Sequence, residues 1–258
     1  MSSCYRLVEE VSKHPGNFDA CIDCTYVLVM EGSPRESTIR KEVSSAGITS
    51  RVVYQYNKGY KKCRKNLRVQ KTNYDLEHAL KHAFRDALSK GYDRILVLED
   101  DCEFDDRIRN PKIIDDVCGF LSSKNPDVYT LGTFLPVVNP LTFSNHQRLL
   151  LNFSSHAIVY NKKYMKWLIN NDCMLGHVDF ETNRHWSKFT YKLPLAYQKV
   201  VPTDNTAEGW GGYYEVLNAL LIKPSGIDRD VQPGYDLIKK CADILMVLFC
   251  VWILSHVC

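Results

Sequence analysis

The sequence predicts an α/β protein, on three observations. Short β-rich apolar runs alternate with stretches of helical periodicity, one helical stretch is strongly amphipathic, and one apolar run, ILVL at residues 95–98, passes directly into Glu99, Asp100 and Asp101. Alternation of this kind builds a sheet with helices packed on it. The chain has 258 residues, 45% of them hydrophobic and 24% charged, which is enough to bury a core in one large or two small domains.

In chain order, Tyr26 to Met30 (YVLVM) is bounded by Gly32 and Pro34 and reads as a buried strand. Residues 36–46 place Ile39 and Val43 at helical spacing, and Val52 to Tyr56 reads as a second strand. TNYD, Thr72 to Asp75, has the form of a capping box. Leu76, Ala79, Leu80, Ala83, Phe84, Ala87 and Leu88 follow it at three-and-four spacing, and Gly91 supplies the helix stop. Arg94 to Leu98 is then a strand buried on both faces, because its apolar run is continuous rather than alternating.

The three acids stand at the carboxyl end of that strand, where α/β sheets bind ligands. If the strand continued through them, Glu99 and Asp101 would share a side. Two carboxylates held together raise each other's pKa unless a cation lies between them. Oxygen ligands favour Mg²⁺ or Mn²⁺ over zinc, with phosphates and water completing the shell.

A formal net charge of +3 is too small for a dedicated nucleic-acid binder of this length. The basic run at residues 58–71 reads as a solvated loop, with an anionic ligand as the functional alternative. Of ten cysteines only Cys21 and Cys24 form a CxxC, and no second pair follows at zinc spacing, so free thiols in a reducing compartment are expected. Residues 1–25 contain no basic start followed by an apolar stretch, which argues against a cleaved secretion signal. After Lys239 and Lys240 the chain turns apolar, and residues 241–258 read as a C-terminal membrane anchor that leaves the rest facing the cytosol.

GYDRILVLEDDCEF, Gly91 to Phe104, resembles the acidic motif of glycosyltransferase family 25, the lipopolysaccharide-type and collagen-type galactosyl- and glucosyltransferases. Other segments resemble that family in order. They are YVLVMEGSPRE, the helix from Asp75 to Lys90, YTLGT at Tyr129 to Thr133, SSHAIVYNKKYMKWLI, GHVDFE and LPLAYQKVVPTDNTAE, so the likeness spans about residues 25–208. The chain departs from the family pattern at Glu31 and Gly32, where Asp-Arg is usual, and at Ala79 and Leu80, where the family has Ser-His.

The resemblance implies a GT-A fold, a Rossmann-like nucleotide-sugar domain with a central, mostly parallel sheet, over residues 25–235 behind an extension at 1–24. It further implies an inverting transfer of glucose or galactose from a UDP-sugar to a glycan, lipid-linked or protein hydroxyl, with Mn²⁺ or Mg²⁺ on the diphosphate. By position, Arg35, Asp75, Glu99 and Asp100 become donor contacts, and Glu99, Asp101 and Asp204 become metal ligands ahead of His177 and His185. Asp179, with Glu181 behind it, becomes the base that accepts the acceptor's proton. Trp210 and Tyr213 are candidates for an acceptor platform, whereas His146 and His156 read as structural. Asn152 opens a glycosylation sequon that a cytosolic domain leaves unmodified. Two other classes stay open: a non-catalytic membrane-anchored binding protein on a decayed transferase fold, and a metal-dependent phosphohydrolase, whose usual D-x-D the sequence LEDD fits poorly.

Overall fold

The computed structural model describes residues 4–133, 137–139, 141–142, 144–152, 155–173, 177–199, 220, 224, 226 and 235–257. The first elements are β1 (Tyr5–Val11), β2 (Cys24–Met30), α1 (Glu36–Ala46), β3 (Arg51–Asn57), α2 (Thr72–Ser89) and β4 (Arg94–Glu99). Next come β5 (Cys102–Phe104), α3 (Pro111–Lys124), β6 (Val128–Thr130), β7 (Val137–Val138), β8 (His146–Leu151), β9 (Ala157–Asn161) and α4 (Lys162–Ile169). The chain continues through α5 (Val178–Thr182), β10 (Lys188–Tyr191), β11 (Ala196–Gln198) and α6 (Tyr235–Val257).

Among the described residues nine strands form one sheet in the order β1-β3-β2-β4-β9-β6-β10-β8-β7, and β5 pairs with β11 apart from it. The expected parallel pairing holds for β3-β2-β4 and for β6 with β10. The other neighbours are antiparallel, so the sheet is mixed rather than mostly parallel. β1 extends the sheet past β3, so the segment read as an N-terminal extension contributes a strand. Its sequence, YRLVEEV, carries three charges, Arg6, Glu9 and Glu10, as suits an edge strand, and they interrupt any apolar run.

The strands of the centre are apolar on both faces because both faces are covered. Leu96 and Leu98 of β4 join Val27 and Val29 of β2 in one core, against Ile39 and Val43 of α1 and Val117 and Leu121 of α3. Ile95 and Val97 join Tyr26 and Leu28 in the other, against Leu80 and Phe84 of α2 and Tyr164, Met165 and Leu168 of α4. Each such side chain contributes about 1.5–3 kcal/mol on burial.

Two further expectations change. Thr72 makes no capping box: the N-cap of α2 is Lys71, which makes no side-chain cap bond, and Asp75 is drawn away to Lys65 and the Tyr60 amide. Helix α2 does stop as expected, with Gly91 at φ +80°. Cysteines 4 and 63, and 21 and 118, form disulfides with Cα separations of 5.7 and 5.2 Å, whereas Cys24, Cys102 and Cys173 are buried free thiols. The expectation of a chain of free thiols in a reducing compartment is therefore overturned, since disulfides persist in oxidising surroundings. Burial pushes the Cys24 thiol up to about 12, so the second cysteine of the CxxC is inert packing.

The membrane anchor is corrected as well. Among the described residues no helix is long and apolar enough to cross a membrane. In α6 the charges of Asp236, Lys239, Lys240 and Asp243 occupy the first turns, and the stretch from Ile244 to Val257 rises only about 21 Å, short of the roughly 30 Å hydrocarbon layer.

The Cys21–Cys118 bond closes a span of 97 residues and ties the turn before β2 to α3. Replacing both cysteines by serine is expected to lower the unfolding free energy by about 2–4 kcal/mol. Urea unfolding of the two proteins without reductant measures it, and coincident curves would show that the bond does not form.

Candidate functional site

The loops that leave β2 and β4 lie side by side, because those strands are parallel neighbours with Leu28 opposite Glu99. From the β2 side, Ser33 and Arg35 reach Asp100. Ser33 Oγ donates to Asp100 Oδ2 at 2.9 Å, and Arg35 Nη2 lies 2.8 Å from Asp100 Oδ1, so both oxygens of that carboxylate are held. Ser33 Oγ also accepts from the Arg35 amide at 3.2 Å, which sets the loop ahead of α1.

The strand ends at Glu99, so the alternation expected to put Glu99 and Asp101 on one side ends with it. Each acid takes its own partner. The Glu99 amide donates to the His156 carbonyl at 3.0 Å, and its carboxylate accepts from Ser155 Oγ, just before β9. Asp101 is buried, and its Oδ2 accepts from Gln198 Nε2 at 3.2 Å, while its carbonyl accepts from the Lys199 amide at 2.9 Å. The β5/β11 ladder delivers that glutamine, pairing Gln198 with Cys102.

β11 can approach because residue 132 is glycine. Its position against the Ala196 carbonyl leaves no room for a side chain, since a Cβ there would lie 1.8 Å from that oxygen. The amides of Leu195 and Ala196 both donate to the Leu131 carbonyl, at 2.7 and 3.2 Å. His156 is packed beside them, and burial lowers its pKa to about 4, so it is a neutral ring, in keeping with a structural role.

Two polar atoms of this cluster are buried without a hydrogen-bond partner among the described residues: Asp101 Oδ1 and Arg35 Nη1. One is an anion's acceptor and the other a cation's donor. Loss of water raises the Asp101 pKa to about 6, with the nearby Asp100 charge adding to the rise and Gln198 and Arg35 opposing it. An unpaired, desolvated carboxylate oxygen next to two further carboxylates is a hard-oxygen site suited to a divalent cation. Among the described residues no three His, Cys, Asp or Glu side chains converge as a metal site.

The remaining expected residues lie elsewhere or outside the description. Asp75 is buried at the start of α2, where it binds Lys65 and accepts from the Tyr60 amide at 2.9 Å, so its charge is already matched. Glu181 is fully buried and paired with Arg184 at 3.0 Å. Asp179 belongs to α5. His185 meets Asp127 at 3.3 Å, and burial lowers the pKa of His177. Asp204, Trp210 and Tyr213 lie outside the described residues. Asn152 is buried, which itself shields the sequon. Ser33, Ser155 and Gln198 are the site residues to which the sequence had assigned no role, although each lies in a segment that resembles the family.

No protein-family model matches the chain, and no curated protein matches it in sequence. Solved structures do. A197 from STIV is 12% identical with a TM-score of 0.42, covering 70% of this chain and 86% of that one. A glycosyltransferase involved in the glycosylation of the major capsid of PBCV-1 is 11% identical with a TM-score of 0.34, covering 56% and 63%. A putative nucleotide-diphospho-sugar transferase from Desulfovibrio desulfuricans G20 is 12% identical with a TM-score of 0.34, covering 78% and 96%. Similarity at this level transfers no property to the chain, and the site has to be read from its own residues.

Because the raised Asp101 pKa means tighter proton binding in the folded state, the stability that protonation provides is complete below about pH 4 and lost as pH rises through about 6. Asp101→Asn is therefore expected to be more stable than the unaltered chain at pH 7 without divalent ions, and to match it near pH 4. Urea unfolding at both pH values tests this, and equal stability at pH 7 would show that the carboxylate is not desolvated.

Proposed function

We propose that the chain is a nucleotide-sugar transferase that binds its donor at the mouth of β2 and β4. The observation that carries this reading is the pair of orphaned, buried atoms in one cluster, Asp101 Oδ1 and Arg35 Nη1. A single simple ion satisfies only one of them. A diphosphate with its divalent cation satisfies both, the cation at the carboxylate and a phosphate oxygen at the guanidinium.

In this reading Asp101 would hold Mn²⁺ or Mg²⁺, with Glu99 and Asp204 as the proposed further ligands. The bound cation supplies Lewis-acid neutralisation of the leaving diphosphate. Arg35 binds the phosphate through Nη1 while Nη2 stays on Asp100, and that ion pair fixes the guanidinium plane before the donor arrives. Ser33 and Gln198 hold Asp100 and Asp101 in register, and Ser155 does the same for Glu99. Asp179 is the proposed base for the acceptor hydroxyl, with Glu181 and Arg184 as the ion pair that steadies α5. UDP is the proposed nucleotide and glucose or galactose the proposed sugar, both from the family resemblance. Asp75 leaves the list of donor contacts in favour of a structural role with Lys65.

The test is hydrolysis of a panel of UDP-sugars by the full chain, with and without Mn²⁺, beside Asp101→Ala. The expected result is turnover of one donor that needs the metal and falls at least about 100-fold in the variant. Arg35→Ala should raise KM for that donor by about tenfold or more, because a charge-assisted contact is worth about 1.5–3 kcal/mol. Silence across the panel, with no metal-dependent UDP binding by calorimetry, would overturn the proposal; UDP binding without turnover would leave a binding protein.

A further inference from the structure

The segment between β3 and α2, residues 58–71, contains seven basic side chains and no acidic one. A solvated run of this kind is normally loose, and this one is pinned. Cys63 is bonded to Cys4, the Lys58 amide donates to the Cys4 carbonyl at 3.0 Å, and the Tyr60 amide donates to Asp75 Oδ2 at 2.9 Å. Lys65 turns inward, with its side chain 1% exposed, to bind Asp75 and Asn57 under the Tyr5 ring. Arg68 stands over Tyr74 and donates to the Cys173 carbonyl at 3.1 Å.

Lys65 is matched by a buried acid, Asp75. Lys62, Arg64 and Lys71 are exposed, Lys58 is half-buried, and none of the four has a carboxylate at ion-pair distance among the described residues. Like charges held on a fixed backbone repel one another, and an anionic partner relieves that repulsion. The loop also sits beside the acid site. It leaves the end of β3 at Asn57, whose carbonyl accepts from the Glu31 amide at 3.0 Å, two residues before Ser33.

From this placement we infer that the pinned loop 58–71 binds an acidic glycan, one bearing carboxylate, sulfate or phosphate groups, as the acceptor surface of the transferase proposed above. The inference rests on that reading for the word acceptor. A nucleoside diphosphate needs fewer cations than the loop presents, and Arg35 already faces the proposed diphosphate position. An acceptor must reach the donor at the mouth of β4, and this loop borders that mouth across β2.

The experiment measures binding of a heparin oligosaccharide, a dextran of equal length and a single-stranded oligonucleotide of equal charge to the oxidised full chain near physiological salt. Heparin is expected to bind, dextran not, and the oligonucleotide at least tenfold more weakly. Lys62→Glu with Arg64→Glu and Lys71→Glu should weaken heparin binding at least tenfold. The milder glutamine triple should weaken it severalfold, and Cys4→Ser with Cys63→Ser, which frees the loop, should also weaken it. Unchanged heparin binding in the folded triple variants, equal dextran binding, or an oligonucleotide bound as tightly as heparin would overturn the inference. UDP calorimetry on the unaltered chain separates the two readings. UDP binding without heparin binding sinks the loop alone, and heparin binding without UDP binding keeps the glycan surface and sinks the transferase.

Discussion

The strand β4 is the constraint on which the architecture depends. Its residues Ile95 to Leu98 are at most 2% exposed, and alternation sends two of them to each face of the sheet. A strand buried on both sides must have neighbours on both edges and helices above and below. β2 and β9 supply the edges, α1 and α3 one cover, and α2 and α4 the other. Burial of four such side chains contributes about 6–12 kcal/mol, comparable with the whole net stability of a domain. The three carboxylates that follow are carried to the rim of that packing because they cannot enter it.

At the rim, charge is settled by local pairing. Asp100 is clamped on both oxygens, Glu99 takes a serine, and Lys65 is matched by Asp75 in a buried pair that makes a basic loop part of the fold. Such pairing is the rule for buried polar groups, and the exceptions mark function. Among the described residues two such exceptions lie in the acid cluster, Asp101 Oδ1 and Arg35 Nη1, one from the loop after β4 and one from the loop after β2. The desolvation that raises the Asp101 pKa is the electrostatic expression of the same unmet demand.

Much of the centre of the fold was legible. The runs at residues 26–30, 52–56 and 94–98, and the periodicity from Leu76 to Leu88, correspond to β2, β3, β4 and α2 to within a few residues. Edge strand β1 was not legible, because an edge strand with one wet side has no continuous apolar run. The capping box at Thr72 failed because Asp75 had a stronger claim from a buried ammonium, a long-range competitor that local pattern cannot register. The tail showed apolar character but too short an uncharged length.

By itself the sequence determined the alternation of strands and helices, the double burial of β4 and the arrival of three acids at its carboxyl end, because those depend on periodicity within a few residues. Only the tertiary structure decided which acid is clamped, which is left with an open oxygen, and which cysteines join. Asp100 meets Arg35 from another strand's loop, Asp101 meets Gln198 across 97 residues, and Cys21 meets Cys118 across the same separation. Those meetings are fixed by strand order and register, and by the close approach of β11 that Gly132 allows. Register is set by packing over the whole sheet, which no short stretch of the chain records.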